Sequence, residues 1–324
     1  MRAVRYHDAG DPSVLQIDQV DRPTPAPDEL LVEIRAASIN PTDAKRRMRG
    51  TGPLPKTTGS DFAGVVREVG RDVAEFDVGD RVCGTGLHPT RFQQGSFAEY
   101  VSVPVDIVTF LPDAISFEDG AAVALVGVTA WRGLIDHAGL EPADSCLVHG
   151  GTGGVGHVSV QLSNAIQAHT VATASPERRR TAEEVGADVA VSYEHEGLLE
   201  AVLDHADGGY DVIFDHRSSD YFTFDIDVAA FGGRIVLYGG LGGQVELAQA
   251  ALRNNLTIQA MTMSNLATHS ELPSVASVLQ RVLKLVDRDS LAPRIARTYD
   301  LEEATEAHRA ILEDSFVGKL VVVP

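Results

Sequence analysis

The stretch HGGTGGVGH, residues 149–157, spaces Gly151, Gly153 and Gly156 as G-x-G-x-x-G. It follows the apolar run Cys146–Val148 and precedes a segment, 155–168, with helical spacing. A glycine turn between strand and helix lets the backbone approach a pyrophosphate, which then rests on amide N–H groups at the helix N-terminus. The residues of this cradle are Gly151, Thr152, Gly153, Gly154, Val155 and Gly156. The chemistry it implies is dinucleotide binding. The two histidines that flank it, His149 and His157, read as a strand-end and a helix-surface residue.

The next strand, TVATAS (170–175), discriminates between cofactors. A site for NADH places a carboxylate at the tip of this strand to bind the adenosine ribose. Here the strand ends in Ala174 and Ser175, Glu177 already belongs to the following helix, and Arg178 and Arg179 come directly after. A hydroxyl and guanidinium groups suit a 2′-phosphate, so the expected cofactor is NADPH. Tyr193, after the third strand, falls near the adenosine end. The competing readings are a solvated helix face for the arginines and a surface aromatic for Tyr193.

A second set of polar residues lies in INPTDAK (39–45) and TTGSDFAG (57–64). Asn40, Asp43, Lys45, Ser60 and Asp61 stand at close spacing with no cysteine or histidine among them. Asn40 is a hydrogen-bond donor or the head of an Asn-Pro turn. Asp43 reads as structural. Lys45 is either a donor to a developing oxyanion or the first of a solvated basic run with Arg46, Arg47 and Arg49. Only four of the 27 basic residues are lysines, which favours a specific role for Lys45.

The elements that position these residues divide into two kinds. Up to about residue 125 short apolar runs alternate with Gly, Pro and Asp, as in a barrel-like packing of strands. From 126 to about 262 strands and helices alternate, including a helix over 176–187 opened by Pro176, as in a doubly wound parallel sheet. The tail returns to helices at 273–288 and around 302–313 and a last strand, KLVVV. A chain of 324 residues exceeds one ordinary core, so two domains are expected.

Composition narrows the function classes. At 44% hydrophobic and 23% charged the chain is an ordinary globular protein. It has no run of eighteen apolar residues and its first residues lack the core of a signal peptide, so the expected location is the cytoplasm, with no membrane partner. A net charge of −19 repels a phosphate backbone and argues against nucleic acid. Asp outnumbers Glu by 27 to 19, a dispersed acidic, lysine-poor balance similar to that of proteins from high-salt cytoplasm. Cys83 and Cys146 lie in apolar runs and read as small buried side chains.

The motifs HGGTGGVGH, GSDFAG, VGDRV, GSFAEY, VGVTAWRGL, GGRIVLYG and VGKLVVVP occur in an order that resembles the medium-chain dehydrogenase/reductase superfamily. In detail the chain is similar to its zinc-free quinone oxidoreductase, or zeta-crystallin-like, branch, over essentially its full length. The resemblance implies an α/β fold: a Rossmann doubly wound sheet, residues 126–262, and a mostly β, GroES-like catalytic domain, residues 1–125 and 263–324. It implies NADPH in the cleft between them and a homodimer built on edge strands of the Rossmann sheets. It assigns Thr129 to the nicotinamide end, with Trp131 in place of a common tyrosine, and assigns Gly239 and Lys319 to the cofactor. In zinc-bearing members a Cys ligand falls near Asn40 and a His-Glu pair at Ser60-Asp61, so no catalytic metal is expected. Asn is common at position 40 in the zinc-free branch, whereas Lys45 departs from its bacterial pattern toward plant enone-type reductases. The implied activity is direct hydride transfer to a small quinone or α,β-unsaturated carbonyl, which needs donors rather than a Lewis acid. The alternatives are a non-catalytic, crystallin-like NADPH-binding protein and a zinc-independent alcohol or aldehyde oxidoreductase. The segment 85–95 is expected to shape the substrate pocket.

Overall fold

A computed structural model describes residues 1–86, 94–240, 251–252 and 254–324. The chain forms two compact units. One comprises 1–128, 263–289 and 293–324; the other comprises 129–262 with 290–292. Most of segment 85–95, residues 87–93, lies outside the described residues.

The first unit holds β1 (Arg2–Tyr6), β2 (Leu15–Gln19), β3 (Glu29–Ile39), α1 (Pro41–Arg49), β4 (Lys56–Thr57), β5 (Asp61–Val69), β6 (Arg81–Thr85), β7 (Tyr100–Pro104), β8 (Val108–Phe110) and most of α2 (Phe117–Trp131). β1, β2 and β4 form a small sheet of order β2-β1-β4. The long strand β3 is the spine of the larger sheet. Its eleven residues read ELLVEIRAASI, and Leu30, Leu31, Val32, Ile34, Ala36, Ala37 and Ile39 are buried. β5 and β7 pair with it antiparallel. Near the end of the chain β15 (Ile295–Asp300) pairs parallel with β16 (Lys319–Val323), and β16 also pairs with β3, Leu320 opposite Ile39 and Val321 opposite Ser38. The β3–β5 register sets Ser38 opposite Asp61. Two distant segments thereby deliver Ser38, Asp61 and Lys319 to one place. α1 begins where β3 ends, because Pro41 supplies a fixed φ at the first helical position and has no N–H to leave unpaired.

The second unit is a six-stranded parallel sheet. Its strands are β9 (Ser145–Val148), β10 (His169–Ala174), β11 (Val189–Ser192), β12 (Tyr210–Asp215), β13 (Ala229–Leu237) and β14 (Thr257–Ala260), in the order β11-β10-β9-β12-β13-β14. The helices α3 (Gly154–Ile166), α4 (Arg179–Glu184), α5 (Leu198–Leu203) and α6 (Ser218–Val228) connect them. Strands of a covered parallel sheet are buried on both faces and read as continuous apolar runs, as CLV and VIF do here. The order reverses direction between β9 and β12, and ligands of such sheets bind at the carboxyl ends of the strands at that switch point. The expected helix over 176–187 is shorter: Pro176–Arg178 forms a 3-10 turn, closed by Arg178 N–H on the Ser175 carbonyl at 2.9 Å, before α4 starts. Among the described residues no helix is long and apolar enough to cross a membrane.

Candidate active site and dinucleotide cradle

In the second unit the glycine turn follows β9 directly and runs into α3, with Gly153 in extended backbone ahead of the first helical residue. The N–H groups of Gly154, Val155 and Gly156 have no acceptor within the helix and stand ready for an anion. The turn is too tight for side chains. A Cβ on Gly156 would lie 2.0 Å from the Gly150 carbonyl oxygen, and one on Gly151 would lie 2.6 Å from the Ala172 Cβ. A cradle in which Gly151 and Gly156 leave no room for a Cβ, with free amides above it, fits a pyrophosphate.

The neighbouring strand ends converge on the same edge. Ser175 follows β10, Arg178 and Arg179 come next, and Tyr193 follows β11 with its N–H on the Ala174 carbonyl at 3.0 Å. Ser175 and Arg178 are half-buried, Arg179 is exposed, and Tyr193 is 42% exposed. The third arginine, Arg180, pairs with Glu184 at 3.1 Å on the solvated face. Gly239 follows β13, its carbonyl accepting from Ser218 Oγ at 3.2 Å. Thr129 is buried on α2.

Beneath the glycine turn lies a buried polar cluster. His149 is fully buried, with Nε2 2.8 Å from Asp225 Oδ1 and Nδ1 3.3 Å from Thr173 Oγ1. Thr173 Oγ1 also accepts the Gly150 N–H at 3.0 Å, so the imidazole braces the turn through one hydroxyl. Tyr221 stacks on the ring with centroids 4.5 Å apart. Burial opposes the charged imidazole, yet Asp225 and Asp215 outweigh it and the pKa is raised. Asp215 is pushed up to about 7 by burial and by Asp225 beside it. His216 is pushed down to about 4, chiefly by burial. His149 stands at the end of β9 as expected, whereas the expected helix-surface position of His157 is corrected: it is fully buried, with Nδ1 2.9 Å from the Gly153 carbonyl oxygen. The Gly153 carbonyl offers the His157 ring a partner inside the turn, so the ring is buried there instead of facing solvent.

In the first unit the residues of 39–45 and 57–64 form one network. Asn40 Nδ2 donates to Asp61 Oδ2 at 2.8 Å, and Asn40 Oδ1 accepts from Lys319 Nζ at 2.5 Å. Ser38 Oγ donates to the same Asp61 oxygen at 2.7 Å. Lys319 Nζ also donates to the Ile39 carbonyl at 2.9 Å and lies 3.7 Å from Asp61. Asp43, the third residue of α1, accepts the Asn40 backbone N–H at 2.9 Å and Ser60 Oγ at 2.8 Å. All six side chains are buried. Burial and the nearby Asp61 push the Asp43 carboxyl up to about 6, against the Ser60 hydrogen bond. Burial pushes the Lys319 ammonium down, against the two carboxylates.

Lys45 is not brought to this network. It is exposed, and two residues beyond Asp43 means roughly 200° around the helix from it. Nor is the basic run a uniformly solvated face, because Arg47 is fully buried with its guanidinium on the Gly10 carbonyl. Lys319 belongs to this first unit, its ammonium turned onto Asn40, Ile39 and Asp61. Sequence reasoning missed Ser38, Asp61 and Lys319 as a set. The available signals were Ser38 and Asp61 interrupting apolar strands, and the scarcity of lysine. Among the described residues no three His, Cys, Asp or Glu side chains gather as they would around a metal ion.

A six-stranded parallel sheet with a glycine turn at its switch point, joined in one chain to a β-rich unit with a buried polar network, defines a dinucleotide-linked oxidoreductase class. The chain matches the family described as alcohol dehydrogenase GroES-like domain over residues 26–113 and that described as zinc-binding dehydrogenase over 154–281. It is 31% identical to a probable quinone oxidoreductase of Schizosaccharomyces pombe, covering 99% of this chain and 96% of the relative. Among solved structures, an NAD-dependent alcohol dehydrogenase is 31% identical with a TM-score of 0.91, and the Escherichia coli quinone oxidoreductase complexed with NADPH is 25% identical with a TM-score of 0.89, each over all of both chains. The chain belongs to the medium-chain dehydrogenase/reductase superfamily, among its quinone oxidoreductases.

Proposed function

We propose that the protein is an NADPH-dependent reductase of quinones or α,β-unsaturated carbonyls. The observation that carries the cofactor assignment is the tip of β10, where Ser175 stands and no carboxylate does, with Arg178 and Arg179 directly after. The nearest acid, Glu177, is exposed on the 3-10 turn. Such a tip offers hydroxyl and guanidinium donors to a 2′-phosphate and no carboxylate for a ribose diol, which weighs against carrying over to this chain the NAD dependence of the alcohol dehydrogenase neighbour. The E. coli relative bound to NADPH supports the same reading.

In this reading Gly151, Thr152, Gly153, Gly154, Val155 and Gly156 hold the pyrophosphate, Ser175, Arg178 and Arg179 the 2′-phosphate, Tyr193 the adenosine, and Thr129 and Gly239 the nicotinamide half. Bound NADPH supplies a hydride for an electrophilic carbon. The chain's own task is to orient the acceptor and to donate to the oxygen on which negative charge develops. Asn40 is that donor: the Asp61 bond uses one of its two Nδ2 hydrogens and leaves the other. The neutral amide polarises without giving up a proton, so the product oxygen takes its proton from water. A homodimer along β14 accompanies this reading. β14 pairs only with β13 among the described residues, and Phe231 and Leu252 nearby in the same unit are 77% and 79% exposed.

The test is NADPH oxidation against a quinone panel and an enone panel, with NADH in parallel. Turnover of either panel with NADPH preferred supports the assignment. Tight NADPH binding with no turnover of either class would overturn it.

A further inference from the structure

A buried ammonium on the oxygen of one amide and a buried carboxylate on its nitrogen make an unusual arrangement. An ammonium only donates and a carboxylate only accepts, so these partners allow one orientation of the Asn40 amide. Turning it over would set NH₂ against Lys319 and C=O against Asp61. The arrangement is costly. Lys319 is 2% exposed and Asp61 fully buried, and Asp61 Oδ1 has no hydrogen-bond partner among the described residues. Packing alone would be served as well by apolar residues, as buried ion pairs seldom add stability over apolar replacements. What the charges supply is direction. A cation on Oδ1 and an anion on one N–H polarise the amide along its length, and aligned hydrogen bonds strengthen one another in a low-dielectric interior.

We propose that Lys319 and Asp61 are positioning residues that fix and polarise Asn40 so that its remaining N–H donates to the substrate oxygen. The proposal rests on the reductase reading above and assigns Lys319 to the substrate side of the chemistry rather than to the dinucleotide. Ser38 supports Asp61 from the adjoining strand, and the Ile39 carbonyl holds the ammonium in place.

The test is a set of variants chosen to keep the interior neutral: N40A, K319M/D61N, and the three changes together. The double variant removes both members of the Lys319–Asp61 pair, so neither is left buried without the other, and it folds where K319M alone is at risk. Expected for K319M/D61N is a fall in kcat of roughly 10- to 100-fold, with KM and the NADPH Kd within about twofold. In the N40A background the same two changes lower kcat by no more than about twofold, since residues that act through one amide are not additive. An equal loss in both backgrounds would overturn the proposal, because a general structural role predicts it. An NADPH Kd raised more than about tenfold, with kcat intact, would also overturn it and return Lys319 to the cofactor. A second readout is independent of turnover and separates this proposal from the reductase reading. In ¹⁵N-resolved NMR the two Asn40 side-chain hydrogens are shifted away from free-amide values and exchange slowly with solvent in the wild type, and in K319M/D61N they move toward free-amide shifts and exchange faster. Signals that K319M/D61N leaves unchanged would overturn the proposal even in a protein that reduces quinones.

Discussion

His149 Nε2 stands 2.8 Å from Asp225 Oδ1 with neither side chain exposed to solvent. This pair joins the end of β9 to α6 directly beneath the glycine turn. Removing one member of a buried pair leaves the other with no counter-charge, a cost of about 3 kcal/mol or more. Asp225→Ala is therefore expected to lower the unfolding free energy by about that amount in urea denaturation near pH 6. It also loosens Thr173 and, through it, the Gly150 amide, so NADPH affinity falls along with stability. A loss below about 1 kcal/mol would show that the imidazole is not charged in the native protein.

The glycine turn supports a graded prediction. Gly156→Ala forces a methyl against the Gly150 carbonyl oxygen, where 2.0 Å is available. Gly153→Ala meets that oxygen at 3.3 Å with an ordinary φ of −74°. Fluorescence titration with NADPH is expected to show at least a 100-fold weaker complex for Gly156→Ala, equivalent to about 3 kcal/mol. The loss for Gly153→Ala is under about tenfold. Equal affinities for the two would mean that the cradle is not the pyrophosphate site.

These examples mark where the sequence was readable. The alternation of apolar strands with helices over 146–237 gave away the parallel sheet, since strands buried on both faces leave continuous apolar runs. The glycine spacing located the cradle because its steric demand is local. Lys319 and Asn40 are 279 residues apart, and only the β3–β16 register brings them together. No local pattern carries that register. Lys45 drew attention for the opposite reason: it is close to Asn40 in sequence, but helical geometry turns it away. His157 read as exposed because a helix start beside glycines looks polar. Its burial follows from the close approach of those same glycines to their neighbours.

A pH dependence follows from His308. It is fully buried in the helix Ala304–Glu313, with Nε2 3.1 Å from Thr58 Oγ1. Burial, with Arg47 adding to it, pushes its pKa down to about 3. An unfolded histidine titrates near 6.5, so the unfolded chain binds this proton more readily than the folded one. The contribution is present above about pH 6.5 and is lost as pH falls toward 3. His216, at about 4, acts in the same sense. Asp43 and Asp215 act oppositely: raised to about 6 and about 7, they favour the folded state at low pH and lose that contribution as pH rises through those values. The opposing groups mask one another in the wild type, so the difference between variants is the useful quantity. His308→Gln keeps a polar partner for Thr58 and removes the titration. The stability advantage of wild type over this variant should shrink by up to about 1.4 kcal/mol per pH unit below 6, as read from urea denaturation. A difference independent of pH between 4.5 and 7 would mean that His308 is charged or hydrated in the fold.

Cofactor choice turns on the tip of β10. Charge-assisted hydrogen bonds to a phosphate contribute about 1.5–3 kcal/mol each, and no carboxylate stands at this tip to accept from a ribose diol. Replacing Arg178 and Arg179 together by alanine is expected to lower kcat/KM for NADPH by roughly 100-fold or more and to leave NADH within about twofold. Most of the loss should appear in KM, because these groups sit at the adenosine end and bind ground and transition states alike. The converse change, Ser175→Asp, puts a carboxylate where the 2′-phosphate would lie. It should repel NADPH while offering NADH the acceptor that it lacks, inverting the preference in steady-state assays. Arg178 is half-buried and Arg179 exposed, so the single variants divide the effect unequally, with the larger share on Arg178. If the paired alanine variant loses NADPH and NADH activity equally, the arginines serve the solvated face of the fold and the cofactor preference is set elsewhere.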